Sequence, residues 1–400
     1  MNLKSLALAA ASAAGLVLYG CQDHMSPDRI AGPAAGSTAP NIAATSGTIS
    51  PARAADGWSP EERTGAVYTL SNESSGNRVI VFSREKNGSL SWKGSVSTGG
   101  KGLGSGLGSQ GAIVRRGDLL FAVDAGSNEV SVLRTEGGFH VIARVPSGGL
   151  EPISLTVNDD LLYVLNAGDP GNITGFRGAR SGHLVHINGS TQPLSGTGTG
   201  PAQVEFNPAG RVLVVTEKNT NMIDTYVVGA GGKAGAPDVQ SSTGTTPFGF
   251  EFTSRGQLVV SNAAGKVSGM SSLTSYAVSP TGFLALITGP VADHQTAACW
   301  VAITGNGKFA YTTNAVSGDI SGYAVAADGS LTLFNDGGVT ASSDASPIDM
   351  ALSRGSRFLF ALNAGGNSIT SYAIGPATGG LTPRGKIGGL PASASGLAAE

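Results

Sequence analysis

Charge and sulfur are both scarce in this sequence. Only 13% of its 400 residues are Asp, Glu, Lys or Arg, about half the share of an average globular chain. No run of basic residues is longer than Arg115-Arg116. The phosphate-tracking surface that dominates nucleic-acid affinity is therefore missing, and nucleic acid is not expected as a partner. Two cysteines, Cys21 and Cys299, provide no disulfide framework, so stability must come from packing. No zinc-ligand spacing, phosphate-binding glycine loop or Ser-His-Asp arrangement is recognisable, and His183 and His186 have no metal-ligand companions. No cofactor is expected on these grounds. The one early apolar run, Leu6 to Tyr19, is too short to span a bilayer comfortably.

Glycine and small apolar residues are what the chain has in excess: 61 glycines and 40% apolar content suit a turn-rich all-β protein with a large core. The apolar run follows Lys4 and ends Leu18-Tyr19-Gly20-Cys21. It reads as a cleaved signal (1–20) of the lipoprotein type, with Cys21 lipidated. Export to the bacterial cell envelope, periplasmic or surface, is expected, with membrane contact through that anchor alone. Cys299 would then remain a lone thiol. Residues 21–63 are rich in Ala, Gly, Ser, Thr and Pro without apolar periodicity and read as a flexible tether to a globular body over 64–400.

That body is repetitive. LLFAVDAG (119–126), LLYVLNAG (161–168), RVLVVTEK (211–218), QLVVSNAAG (257–265), KFAYTTNAV (308–316) and FLFALNAGG (358–366) share one form, and AVYTLSNE (66–73) is a seventh copy with a one-residue slip. Their polar markers are Asn72, Asp124, Asn166, Glu217, Asn262, Asn314 and Asn363. A period near 50 residues fits propeller blades of four strands. A further strand in each copy ends near Phe82, Leu133, Phe176, Tyr226, Tyr276, Tyr323 or Tyr372, and turns such as Asn87-Gly88 and Asp328-Gly329 then predict outer hairpins. Innermost strands begin at Pro152, Pro201, Pro247 and Pro347, since proline cannot donate to a ladder. A last such start, Leu390-Pro391-Ala392-Ser393, has no blade after it. The expectation is an all-β, seven-bladed β-propeller of four-stranded antiparallel blades, with a C-terminal strand completing the first blade and hiding its edge.

GPAQVEFNPAGRVLVV (200–215) and SGDISGYAVAADGSLTL (317–333) resemble the seven-bladed lactonase family of propeller-type 6-phosphogluconolactonase and carboxymuconate cyclase, over about 65–400. The resemblance implies functional residues at four positions: an arginine after the Gly-Pro start, a glutamate after that repeat's marker, a second arginine two blades later and a histidine at an earlier strand start. This chain has Ala202, Lys218, Ala315 and Ile153 there. Without a proton-transfer group and a facing cation, the family's lactone chemistry loses its machinery.

Alternation along the innermost strands puts Ala202, Val204 and Phe206, Phe248, Phe250 and Phe252, Cys299, Val301 and Ile303, and Ile348, Met350 and Leu352 on faces between blades. The other face carries Ser154, Thr156, Gln203, Glu205, Glu251, Trp300 and Asp349. Glu205 and Glu251 stand at one level of adjacent blades, where two carboxylates either share a proton, hold a cation such as calcium, meet a cationic ligand, or cap backbone amides. Asp293-His294-Gln295-Thr296 replaces an X-Pro start and marks a binding-site mouth. Two functions stay open. One is a monomeric protein binding a small molecule or protein partner at the channel through Gln203, Glu205, Glu251, Gln295, Trp300, Asp349 and Lys218. The other is a lactonase-type hydrolase or cycloisomerase using His294, Glu251 or Asp349.

Overall fold

Each apolar repeat is too short to bury itself alone, so it pairs with its sequence neighbours and stacks on the next repeat. The computed structural model describes residues 64–400, which form seven antiparallel sheets, each one blade. The signal, Cys21 and the tether lie outside the described residues. Blade 4 is representative: from the axis outward its strands are Pro201–Phe206, Val212–Glu217, Met222–Val227 and Asp238–Ser241. In blades 3 and 6 the outermost strand is split into two short pieces. The single helical turn among the described residues is Ala264–Lys266.

The ring closes as the sequence predicts. Ser395–Ala399 is the innermost strand of blade 1, antiparallel to Gly65–Leu70. Thr69 Oγ1 donates to the Gly396 carbonyl at 2.7 Å and Ser393 Oγ to that of Ser71, also at 2.7 Å. First and last strands thus protect each other's edges.

The repeat markers are inter-strand clamps. Asn262 Nδ2 donates to Ser272 Oγ (3.2 Å) and Thr274 Oγ1 (2.9 Å), and Asn363 does the same to Ser368 and Thr370. A buried amide with two acceptors on the next strand fixes that hairpin's register. In blade 1 the slip resolves to Ser71, which lies opposite Arg78 as Asp124 lies opposite Glu129. The third-strand tyrosines staple blades together. Tyr226, Tyr323 and Tyr372 donate to Pro193, Val291 and Ser342 carbonyls of the preceding blade at 3.0, 3.2 and 2.7 Å.

The alternation read along the innermost strands is broken near their starts. A register shift follows Pro201, Pro247, Ala298 and Pro347. The extra residue of each bulge turns Ala202, Phe248, Cys299 and Ile348 into one cluster with Trp300, while Phe250, Val301 and Met350 pack between blades. Cys299 is fully buried and its sulfur lies in a disulfide, not a lone thiol as the sequence suggested; the chain's other cysteine lies outside the described residues.

Candidate functional site

All innermost strands run in the same direction, so the ring has an upper face where they begin and a lower face where they end. The glycine-rich segment from Leu103 to Ala112, ahead of the short innermost strand Ile113–Arg116 of blade 2, crosses the axis near the upper face. Asn72 holds its start, accepting from Leu103 N (3.1 Å) and donating to the Ser105 carbonyl (2.6 Å). Lys218 Nζ donates to the Gly108 carbonyl at 3.0 Å and lies 4.9 Å from the Phe248 ring centroid. Trp300 Nε1 donates to the Ser109 carbonyl at 2.9 Å, and its ring packs 4.9 Å from that of Phe248. Gln110 reaches across to blade 6, donating to the Val301 carbonyl (2.7 Å) and accepting from Val301 N (3.1 Å). The segment is a stopper. Glycine is needed where it approaches other backbone: a Cβ on Gly102 would stand 2.1 Å from the Asn72 carbonyl carbon.

Below the stopper the channel is a blind cavity of about 360 Å³. One ring of equivalent residues lines it, each three positions before its blade's marker register: Val114, Thr156, Glu205, Glu251, Ala302, Ala351 and Ala398. Thr156, Glu205 and Glu251 come from consecutive blades, so the wall is polar on one side and apolar on the other. Gln203 and Asp349 sit one step deeper.

Much of this polar set also joins innermost strands of neighbouring blades, which share no backbone ladder. Gln203 exchanges two bonds with Phe250, at 2.8 and 2.9 Å. Thr156 Oγ1 accepts from Phe206 N at 3.2 Å. The Asp349 carboxylate accepts from Met350 N (2.8 Å) and Leu397 N (3.0 Å), tying blade 7 to the closing strand. Burial nonetheless pushes the Asp349 carboxyl up to about 8.

Glu205 and Glu251 keep oxygens facing the cavity: both are half-buried, and Glu205 Oε2 accepts from Gln203 Nε2 at 3.1 Å. Burial raises both carboxyls, Glu205 further through the charge of its neighbour and Glu251 to about 7. The two carboxyls interact with each other and therefore titrate as a pair. Arg115 lines the cavity edge, paired with Glu400 at 3.0 Å, and its Nε is buried without a hydrogen-bond partner.

Of the residues singled out in the sequence, Gln203, Glu205, Glu251 and Asp349 meet around this cavity. Trp300 and Lys218 are spent on the stopper. His294 and Gln295 lie on the upper face, where Gln295 Nε2 donates to the Gly337 carbonyl at 2.9 Å. The 293–296 loop does not line this cavity. Ala297 has the left-handed φ of the residues before the other strand starts (64°, against 56° at Thr246 and 50° at Ser346), so blade 6 begins as its neighbours do. Gln110 and Arg115 were not anticipated. The signal for the stopper was the glycine run at 99–111 and the lack of a proline start in blade 2. Among the described residues no group of three or more His, Cys, Asp or Glu is arranged to hold a metal ion.

No family model and no curated protein sequence matches the chain. Among solved structures it is similar to a protein from Lactobacillus plantarum (TM-score 0.67, 18% identity, covering 84% of this chain and 100% of that one). It is also similar to the periplasmic gluconolactonase of Pseudomonas aeruginosa (TM-score 0.64, 17% identity, 83% and 98%). A third is a protein from Bacteroides uniformis provisionally named a 6-phosphogluconolactonase (TM-score 0.64, 18% identity, 83% and 98%). In fold, then, the chain is a seven-bladed β-propeller similar to these proteins.

Proposed function

We propose that this protein is an exported binding propeller that takes a small ligand into the blind cavity from the lower face. The carrying observation is the ring at its wall: Thr156, Glu205 and Glu251 on one side, Ala302, Ala351, Ala398 and Val114 on the other. Such a wall suits a compact molecule with one hydrogen-bonding edge and one apolar face, as a sugar ring has. Because burial raises both carboxyls, a pair that keeps one proton can both donate to and accept from a ligand hydroxyl group.

Export is supported by the N-terminal signal pattern and by the disulfide at Cys299, since disulfides persist in oxidising compartments. A sulfur engaged in a disulfide carries no lipid, so lipidation of Cys21 and a disulfide using it exclude each other. The intact mass of the mature protein decides between them.

A second reading, lactone hydrolysis, is favoured by one observation: Glu251 is held at about 7, suited to general acid-base work. A pH-stat assay with glucono-δ-lactone separates the two. The binding reading predicts no turnover above buffer, together with calorimetric binding of a sugar or sugar acid. Turnover that disappears in Glu251→Gln would put hydrolysis first.

A further inference from the structure

In blades 2–7 the turns joining the first and second strands lie on the lower face, and in four consecutive blades the turn carries an exposed cation: Arg211, Arg255, Lys308 and Arg354. The ion pairs among the described residues engage Arg115, Arg116, Arg134, Arg144, Arg180 and Lys386, and none of them uses these four. On the same face in blades 1–3 the charges are matched instead: Asp118, Asp159 and Glu400 lie there, paired with Arg134, with Arg116 and Arg180, and with Arg115 respectively. A chain of net charge −2 has thus gathered unpaired positive charge on half of one face. The acids on the outer part of that half are Asp238 and Asp328.

The four cations stand one per blade around the channel and converge on no pocket, which fits an extended anionic surface better than a single anion. Outboard of them, at the lower rim of blades 4 and 5, are large apolar side chains left in water: Phe283 at 60% exposure, Leu286 at 52% and Val227 at 42%. Phe283 is on the outer turn of blade 5, which reaches the same face. Cations over headgroups with an aromatic at the rim is the pattern of a peripheral membrane contact. A soluble polyanion would leave the apolar rim without a role.

We infer that the lower face of blades 4–7 docks on an anionic lipid bilayer, with Arg211, Arg255, Lys308 and Arg354 over the headgroups and Phe283 in the interface. The charge-matched half offers no such attraction, so the ring tilts and the blade 1–3 side of the cavity mouth stays open to water. This contact is additional to any N-terminal anchor and does not depend on what the cavity binds.

The test is co-sedimentation of the full chain carrying Cys21→Ser, which cannot be lipidated, with vesicles of phosphatidylcholine alone or with about 30% phosphatidylglycerol. Binding should be at least about tenfold stronger on the anionic vesicles and fall at high salt. The combined reversal R211E/R255E/K308E/R354E should abolish it, Phe283→Ser should weaken it, and Arg116→Glu should leave it nearly unchanged. Should the combined variant fail to fold, K308E and R255E singly should each weaken binding. Equal binding to both vesicle types, no loss on charge reversal, or binding to soluble polyglutamate without vesicle pelleting would overturn the inference.

Discussion

Gln110 shows how one side chain sets the shape of the site. Its amide satisfies both the N–H and the C=O of Val301, on a blade across the ring. Replacing it with alanine leaves two buried backbone groups unpaired, so Gln110→Ala should cost about 2–4 kcal/mol, read by urea denaturation. A loss below about 0.5 kcal/mol would mean that the stopper is held elsewhere. The buried carboxyls make a second prediction at this scale. Burial raises Asp349 and Asp224 to about 8 and Glu251 to about 7, whereas in the unfolded chain they titrate near 4. The folded state therefore binds more protons between those values. The stability these groups contribute is full below about pH 4 and is lost as pH rises through 7 to 8. The melting temperature should be higher at pH 5.5 than at pH 8.5, and Asp349→Asn should flatten that decline; an unchanged pH profile in the variant would count against the assignment. Glu205 and Glu251 were legible in the sequence because both sit three positions before a repeat marker's partner level, a spacing the chain prints openly. Trp300 and Lys218 were misplaced because what they bond, a segment more than a hundred residues away in sequence, has no local signature.

At the scale of elements, the blades were readable from repeat period, turn residues and proline starts, and the closing strand from its lack of a following blade. What alternation could not supply was the bulge near the start of most innermost strands. One extra residue moves Phe248 away from Phe250 and into contact with Trp300 and Lys218, and no residue pattern announces it. Proline and a left-handed residue before it are compatible with a straight strand as well. The tyrosine staples are also an element-level device. Each ties the third strand of one blade to the outer edge of the blade before it, where only side-chain packing would otherwise act. Tyr323→Phe removes the bond to the Val291 carbonyl and keeps the ring, so it should cost about 1 kcal/mol in thermal or urea unfolding. Tyr163, a second-strand residue, serves the other direction, donating to Gly232 and accepting from Ala234 N at 2.7 and 2.8 Å. Blades 4 to 7 carry the third-strand tyrosine, while blades 1 to 3 have Phe82, Leu133 and Phe176 and rely on apolar packing there.

For the whole molecule, a ring of seven equivalent strands offers the same level seven times, and function enters where the copies differ. At the cavity level three copies are polar and four are small or apolar. At the upper end the stopper closes the channel, which makes the lower mouth the way in. The fold is shared with proteins of lactonase name, yet the positions that the family resemblance marks hold Ala202, Lys218, Ala315 and Ile153, of which Lys218 is committed to the stopper. The most direct test of the central claim is a thermal-shift comparison of wild type and Glu251→Gln with glucose, gluconate, glucono-δ-lactone and calcium, each at millimolar concentration. A ligand bound only by the native state must raise the melting temperature. At least one sugar or sugar acid should raise that of wild type by a few degrees and fail to do so in the variant, with calcium silent in both; no shift from any of them, or a shift unaffected by Glu251→Gln, would contradict a binding site at the acid pair.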